Sequence, residues 1–172
     1  MPENKTPTGY PSIDKPWLKF YSEEAINAPL PEGSIYEYLY EHNKHALDDT
    51  ALSYFGRKYS FRDMFRQIDL TADSFASVGV RKGNIVDLLL PNTPENIFCI
   101  YALNKLGAIA DMIDLRAKGD DLLHYLNESG ASVAVICDLF EDNVYDVLSR
   151  TNIKTCVVGS PFDSMPTAFA YV

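Results

Sequence analysis

Two periods of hydrophobic and polar positions alternate along this chain, and they meet most clearly in residues 79–114. Residues 85–90 (IVDLLL) are an almost unbroken apolar run, the pattern of a strand covered on both faces. Pro91-Asn92-Thr93-Pro94 stops that run and starts a helix that Gly107 ends. Thr93 is placed to cap this helix, Pro94 fits its first position because the missing N–H costs nothing there, and Lys105 sits in its last turn. Ile97, Phe98, Ile100, Tyr101, Leu103 and Leu106 leave it little polar surface, so it is expected to pack on more than one side. Residues 109–113 return to an extended pattern. Strand, helix and strand in that order predict a right-handed parallel crossover.

The same grammar runs outward in both directions. Ser34-x-x-Glu37 is a capping box that predicts a helix to about His45, and Ser60-x-x-Asp63 is a second. Behind the second, Phe61, Met64, Phe65, Ile68, Ala72, Phe75 and Ala76 recur at helical spacing until Gly79. Residues 51–55 and 58–60 flank Gly56-Arg57 and read as a short hairpin. Beyond Asp114, a helix carrying Leu122, Leu123, Tyr125 and Leu126 ends at Gly130, a strand covers 132–137, Phe140, Val144, Val147 and Leu148 mark another helix, and 155–158 give one more strand. The fold class that follows is α/β, a doubly wound and mainly parallel sheet with helices on both faces plus a small β-hairpin. Residues 1–33 hold six prolines and are expected to form an extended arm pinned by Trp17, Phe20 and Tyr21. Residues 34–158 form the α/β domain, and 159–172 lose all periodicity and are expected to be irregular.

Composition narrows the class. Of the 172 residues 47% are hydrophobic, enough for a sizeable core. The net charge of −9 repels phosphate backbones, and the densest basic spots, Arg57-Lys58 and Arg81-Lys82, are only pairs, which argues against nucleic acid as a partner. Cys99, Cys137 and Cys156 have no Cys-x-x-Cys spacing and each lies in an apolar stretch, as reduced core residues of a cytoplasmic protein do. The N-terminus lacks the apolar run of a signal peptide, and no transmembrane segment is expected.

Candidate chemistry is sparse. An open α/β sheet places ligands at the carboxyl ends of its strands, here the loops after Leu90, Asp114 and Cys137. No two of the 9 glycines stand two apart, so no dinucleotide fingerprint exists, and Walker A, GxSxG, HExxH and calcium-loop patterns are absent too. His42 and His45 lack a third metal ligand and read as an exposed helical flank, and His124 reads as structural. Asp87, the odd member of an apolar strand, reads as a paired charge or a strand-edge residue.

Several short features in order carry a resemblance. They are Tyr54-Phe55-Gly56-Arg57 with Tyr59-Ser60-Phe61, then Gly79-Val80-x-Lys82-Gly83, Leu90-Pro91-Asn92 with Pro94-Glu95, and Leu103-x-Lys105-Leu106-Gly107-Ala108. Together they resemble the opening of an AMP-forming acyl-CoA synthetase of the adenylate-forming superfamily, over residues 34–158. The arm and first helix are most similar to the fatty- and medium-chain acyl branch. Residues 109–115 (IADMIDL) depart from the family's valine- and proline-rich strand ending near Asn-Pro.

The resemblance implies a parent ligase that joins a carboxylic or fatty acid to CoA through an acyl-adenylate, using ATP, magnesium and CoA. It also implies that the phosphate loop, the magnesium-holding glutamate and the catalytic lysine lie beyond residue 172. The chain alone is then expected to be a truncated N-terminal subdomain, catalytically silent and without a bound cofactor, whose partner is the remainder of the same polypeptide. It is expected to expose an apolar face or strand edge and to self-associate. In the family, the loop after residue 114 lies near the mouth of the CoA channel, which makes Arg116 the candidate for pairing with a CoA phosphate, against a reading as a solvated arginine near Asp120 and Asp121. A stand-alone binding or regulatory module that kept the fold and lost catalysis is the alternative, and an unrelated doubly wound domain is a third.

Overall fold

The computed structural model describes residues 7–166. The chain divides after Glu32 into two compact units. In the first, short helices α1 (Pro11–Asp14) and α2 (Glu23–Asn27) flank a 3-10 turn at Pro16–Phe20. The expectation of an extended arm needs correction here. Pro11 and Pro16 stand at the first positions of their turns, where proline is compatible with a helical start, and Ser22 caps α2 by accepting from the Ala25 N–H. Trp17, Phe20 and Tyr21, the expected anchors, are all exposed, and none of the three turns contains a buried residue.

The second unit begins with α3 (Ile35–Asn43), whose capping box at Ser34 and Glu37 is complete in both directions. Strands β1 (Thr50–Tyr54) and β2 (Arg57–Ser60) form the antiparallel hairpin. Its loop is Phe55-Gly56, one residue earlier than the sequence suggested, because Tyr54 pairs with Arg57 and both loop residues take positive φ, +46° and +83°. That is the twist a two-residue hairpin loop requires. Helix α4 (Phe61–Ser77) follows directly on its own complete capping box at Ser60 and Asp63.

Strand β3 (Ile85–Leu89), helix α5 (Pro94–Leu106) and strand β4 (Ile109–Met112) form the expected crossover. Gly107 ends α5 with φ +70°, where a Cβ would lie 3.0 Å from the Lys82 side chain, and its carbonyl accepts from the Gly83 N–H at 2.8 Å. Helix α6 (Gly119–Ser129), strand β5 (Val133–Cys137), a 3-10 turn at Asp138–Phe140, helix α7 (Glu141–Leu148) and strand β6 (Thr155–Gly159) complete the order. The main sheet is parallel throughout, with strand order β4-β3-β5-β6.

Alternation along β3 and β5 separates two cores. Val86, Leu88, Val133 and Val135 face α4 and α5, where Ile68, Ala102 and Leu103 are fully buried. Leu89, Ala134 and Ile136 face α6 and α7, against Leu122, Leu126, Val144 and Val147. The sheet is therefore covered on both sides. Helix α5 touches α3, α4, β3 and β4, which accounts for its nearly continuous apolar surface. Tyr36 of α3, Asp69 of α4 and Lys105 of α5 form one polar cluster on their outer side, with the ammonium 4.8 Å from the tyrosine ring centre. Strands β4 and β6 each have one unpaired edge among the described residues, and Ile109, Met112, Val157 and Val158 are exposed on them. Residues 160–166 hold turns and no regular element, and the rest of the expected irregular tail lies outside the described residues.

Candidate functional site

At the carboxyl end of β3, Thr93 occupies the cap position of α5 with extended backbone, yet its hydroxyl caps nothing. Pro94 removes one of the free N–H groups such a cap would serve. The next two residues turn inward: Asn96 is buried with its Oδ1 unpartnered, and Glu95 Oε2 is inaccessible and unpartnered. Glu95 lies near Tyr54 and Cys99, whose groups its charge raises beyond what burial does. Burial pushes the Cys99 thiol up to about 12 and raises Cys137 and Cys156 as well. These are thiols held in the unreactive protonated form, as the sequence indicated for core cysteines. Tyr54 donates to the Pro161 carbonyl at 3.1 Å.

The loop after β4 holds the candidate Arg116. Its Nε lies 3.0 and 3.2 Å from the two Asp114 oxygens, its Nη2 donates to Oδ2 at 2.6 Å, and its backbone N–H donates to Oδ1 at 2.9 Å. The arginine side chain is 87% exposed. Its hydrogen bonds hold the Asp114 carboxyl down to about 2. Such a shift adds stability above the ordinary carboxylate value that disappears as pH falls through about 2, and solvent screening keeps the contribution small. Arg116 is solvent-exposed and its ion-pair partner is Asp114, while Asp120 pairs with Arg150 at 3.4 Å. One edge of the guanidinium is engaged by Asp114, and Nη1 remains directed to solvent-accessible space without a protein partner among the described residues.

Along the face of β4 that looks toward α6 runs a cleft of ≈ 540 Å³, lined by Ile109, Asp111, Ile113, Asp114, Tyr125 and Glu128 together with Ile85, Met112 and Ser129. Beneath it lies Asp87. The sequence reading of a paired charge or strand edge is corrected on both counts. Asp87 is fully buried in a strand with neighbours on both sides, opposite Asp111 of β4 and Ala134 of β5. Its Oδ2 accepts from Ser129 Oγ at 3.1 Å, a hydroxyl whose single proton is shared with the Leu126 carbonyl, and its Oδ1 has no partner. Burial pushes this carboxyl up to about 7, the Ser129 bond opposes the shift, and Asp111 adds to it. Nothing local in the sequence announced the pairing, because Asp87 and Asp111 meet only once the crossover sets their register.

The histidines carry no site. His42 Nδ1 lies 2.8 Å from the Tyr38 carbonyl with its ring 4.0 Å from that of Tyr38, and His124 approaches Glu128 at 3.4 Å. Among the described residues no group of three or more His, Cys, Asp or Glu side chains is placed to hold a metal ion. A second cavity of ≈ 530 Å³ between α3, β1, α4 and α5 is apolar except for Asn104, whose Oδ1 accepts from the Tyr36 N–H at 2.8 Å. No helix among the described residues is long and apolar enough to cross a membrane.

The sequence profile of the AMP-binding enzymes matches residues 39–168. The chain belongs to that family. It is 40% identical over 79 residues to the crotonobetaine/carnitine–CoA ligases of Salmonella paratyphi B and Salmonella typhimurium, an alignment covering 46% of this chain and 15% of theirs. Its fold matches the long-chain-fatty-acid–CoA ligase of Archaeoglobus fulgidus with TM-score 0.71 and 25% identity over 84% of this chain and 32% of that one. The anthranilate–CoA ligase AuaEII, solved with anthranoyl-AMP, matches with TM-score 0.71 and 24% identity over 75% of this chain and 25% of that one. In sequence and fold the chain is similar to part of these CoA ligases, and it spans about a third or less of their length.

The AMP-binding enzymes take ATP, and a fit to that group can be judged from the donor set. The three carboxyl-end loops offer two exposed cations, Arg116, already paired with Asp114, and Lys118 at the cap of α6, together with the half-buried Glu95. Without a glycine-rich phosphate loop, that set does not by itself hold a triphosphate and its magnesium.

Proposed function

We propose that this chain is the N-terminal framework of an acyl-CoA synthetase whose whole polypeptide converts a carboxylic acid, ATP and CoA into acyl-CoA, AMP and diphosphate through an acyl-adenylate. The observation that carries the reading is the family match over residues 39–168 combined with the identity to curated CoA ligases. The carboxyl-end loops support the further reading that the chain alone is silent. A reaction at phosphorus needs several cations set around the phosphoryl oxygens, and these loops supply only an arginine paired with Asp114 and one exposed lysine, Lys118, together with the half-buried Glu95. The groups that hold ATP and magnesium, and the remaining catalytic groups, come from the rest of the longer polypeptide. The purified 172-residue chain is expected to give no acid-dependent exchange of diphosphate into ATP, and turnover above background would overturn this reading.

Within the whole ligase, Arg116 is the residue of this chain proposed to meet CoA. Its open guanidinium edge suits one phosphate oxygen, and its pairing with Asp114 fixes the direction of that edge. Arg116→Ala in the full-length ligase is expected to raise the KM for CoA by roughly five-fold, the worth of one exposed charged contact, and to leave adenylation unchanged. An unaltered KM for CoA would remove Arg116 from this role.

The unpaired edges of β4 and β6 and their exposed apolar residues favour self-association of the isolated chain. Sedimentation velocity is expected to show oligomers growing with concentration, and a monomer throughout would contradict it.

A further inference from the structure

One buried acid in this molecule has no counter-charge. From β4 it faces Asp111, from β5 the uncharged Ala134, and from α6 Ser129. Glu128 of α6 lines the same cleft and is approached by His124, while α7 contributes Val144 and Val147 to this side of the sheet. Asp114, farther along the cleft, is held by Arg116. Among the described residues no lysine or arginine lines the cleft. Two adjacent carboxylates with no cation between them repel, but a carboxylic acid beside a carboxylate forms a strong hydrogen bond. One Asp87 oxygen is occupied by Ser129, and Oδ1 is a buried atom that accepts from nothing. An oxygen that carries the proton and donates it to Asp111 leaves no unsatisfied group at this position.

We propose that Asp87 and Asp111 share a single proton and act as a latch joining the edge strand β4 to the central strand β3, which opens when that proton is lost. The proton leaves to solvent through the cleft that Asp111 lines, and no other bond is made or broken. Opening leaves two like charges facing each other across the ladder. Strand β5 has β3 and β6 on its flanks, whereas β4 is held laterally by β3 alone, so β4 is the strand that yields. The Ile113 N–H bond to the Leu88 carbonyl at 3.1 Å is the last backbone tie before Asp114 and Arg116, and release of β4 therefore reaches that loop.

The sign is fixed by the direction of the shift. An acid that holds its proton more tightly when folded adds stability that is complete below its unfolded value of 3.8 and is lost as pH rises through about 7. Amide hydrogen exchange on the 172-residue chain at pH 6 and pH 8.5, corrected for intrinsic rates, reads this locally. Protection of residues 109–113 is expected to fall at least about ten-fold relative to Val133–Cys137 between the two pH values, and Asp87→Asn should abolish the difference. Equal changes in the two strands, or the same loss in Asp87→Asn, would overturn the latch. Should that variant fail to fold, carboxyl carbon resonances of the unsubstituted chain decide the matter. The Asp87 carboxyl is expected to titrate near 7, and its titration near the ordinary 3.8 would refute the proposal.

Discussion

The structure hangs on a strand that has no free side. Strand β3 is paired to β4 and to β5, and its two faces are sealed by different helix pairs. A strand so placed must be apolar on both faces, which is why residues 85–90 carry no alternation, and every backbone group must find its partner in a neighbouring strand. The parallel direction of those neighbours then demands crossovers. Helix α5 supplies the first, and its ends are fixed by Pro94 at the start and by the left-handed Gly107 at the close. The hydrogen bond from Gly83 to Gly107 clamps the entry of β3 to the exit of α5. From this unit the remaining pieces follow as layers: α3, α4 and the hairpin on one side, α6 and α7 on the other.

Asp87 is the exception in β3, and it shows how costly a departure from that rule is. An isolated carboxylate at this depth would be strongly disfavoured, so the position is tenable only as a neutral acid or with its charge shared. Asp111 on the adjacent strand makes sharing possible, and Ser129 at the end of α6 satisfies the remaining oxygen. The acid on β4 and the acid on β3 thus belong to one local solution. That solution is independent of the acyl-CoA chemistry proposed for the whole polypeptide.

Much of this architecture was legible in the amino-acid order because it is written locally. Both serine capping boxes formed, Gly107 ended its helix, and short apolar runs bounded by turn residues, with amphipathic stretches between them, marked the strands and helices of the sheet. What was not legible depends on partners far along the chain or on choices between near-equal local options. Asp87 and Asp111 are brought together only by the register of the crossover. The hairpin loop shifted by one residue because Tyr54 pairs with Arg57, which places Phe55 rather than Arg57 in the turn. The prolines of the arm admit helical starts as readily as extended chain, and the sequence alone did not choose. The partner of Arg116 lies only two residues before it, at Asp114, but acids stand on both sides of the arginine and spacing alone does not choose between them.

Strand β3 and its crossover are the elements on which the rest of the second unit depends. Native-state hydrogen exchange at pH 6 across a series of denaturant concentrations tests this dependence most directly, since it assigns an opening free energy to each strand. The amides of Ile85–Leu89 and the middle of α5 are predicted to exchange only through global unfolding, with those of β6 and the β1–β2 hairpin opening at lower free energy. Opening of β3 before the hairpin or β6 would contradict the account.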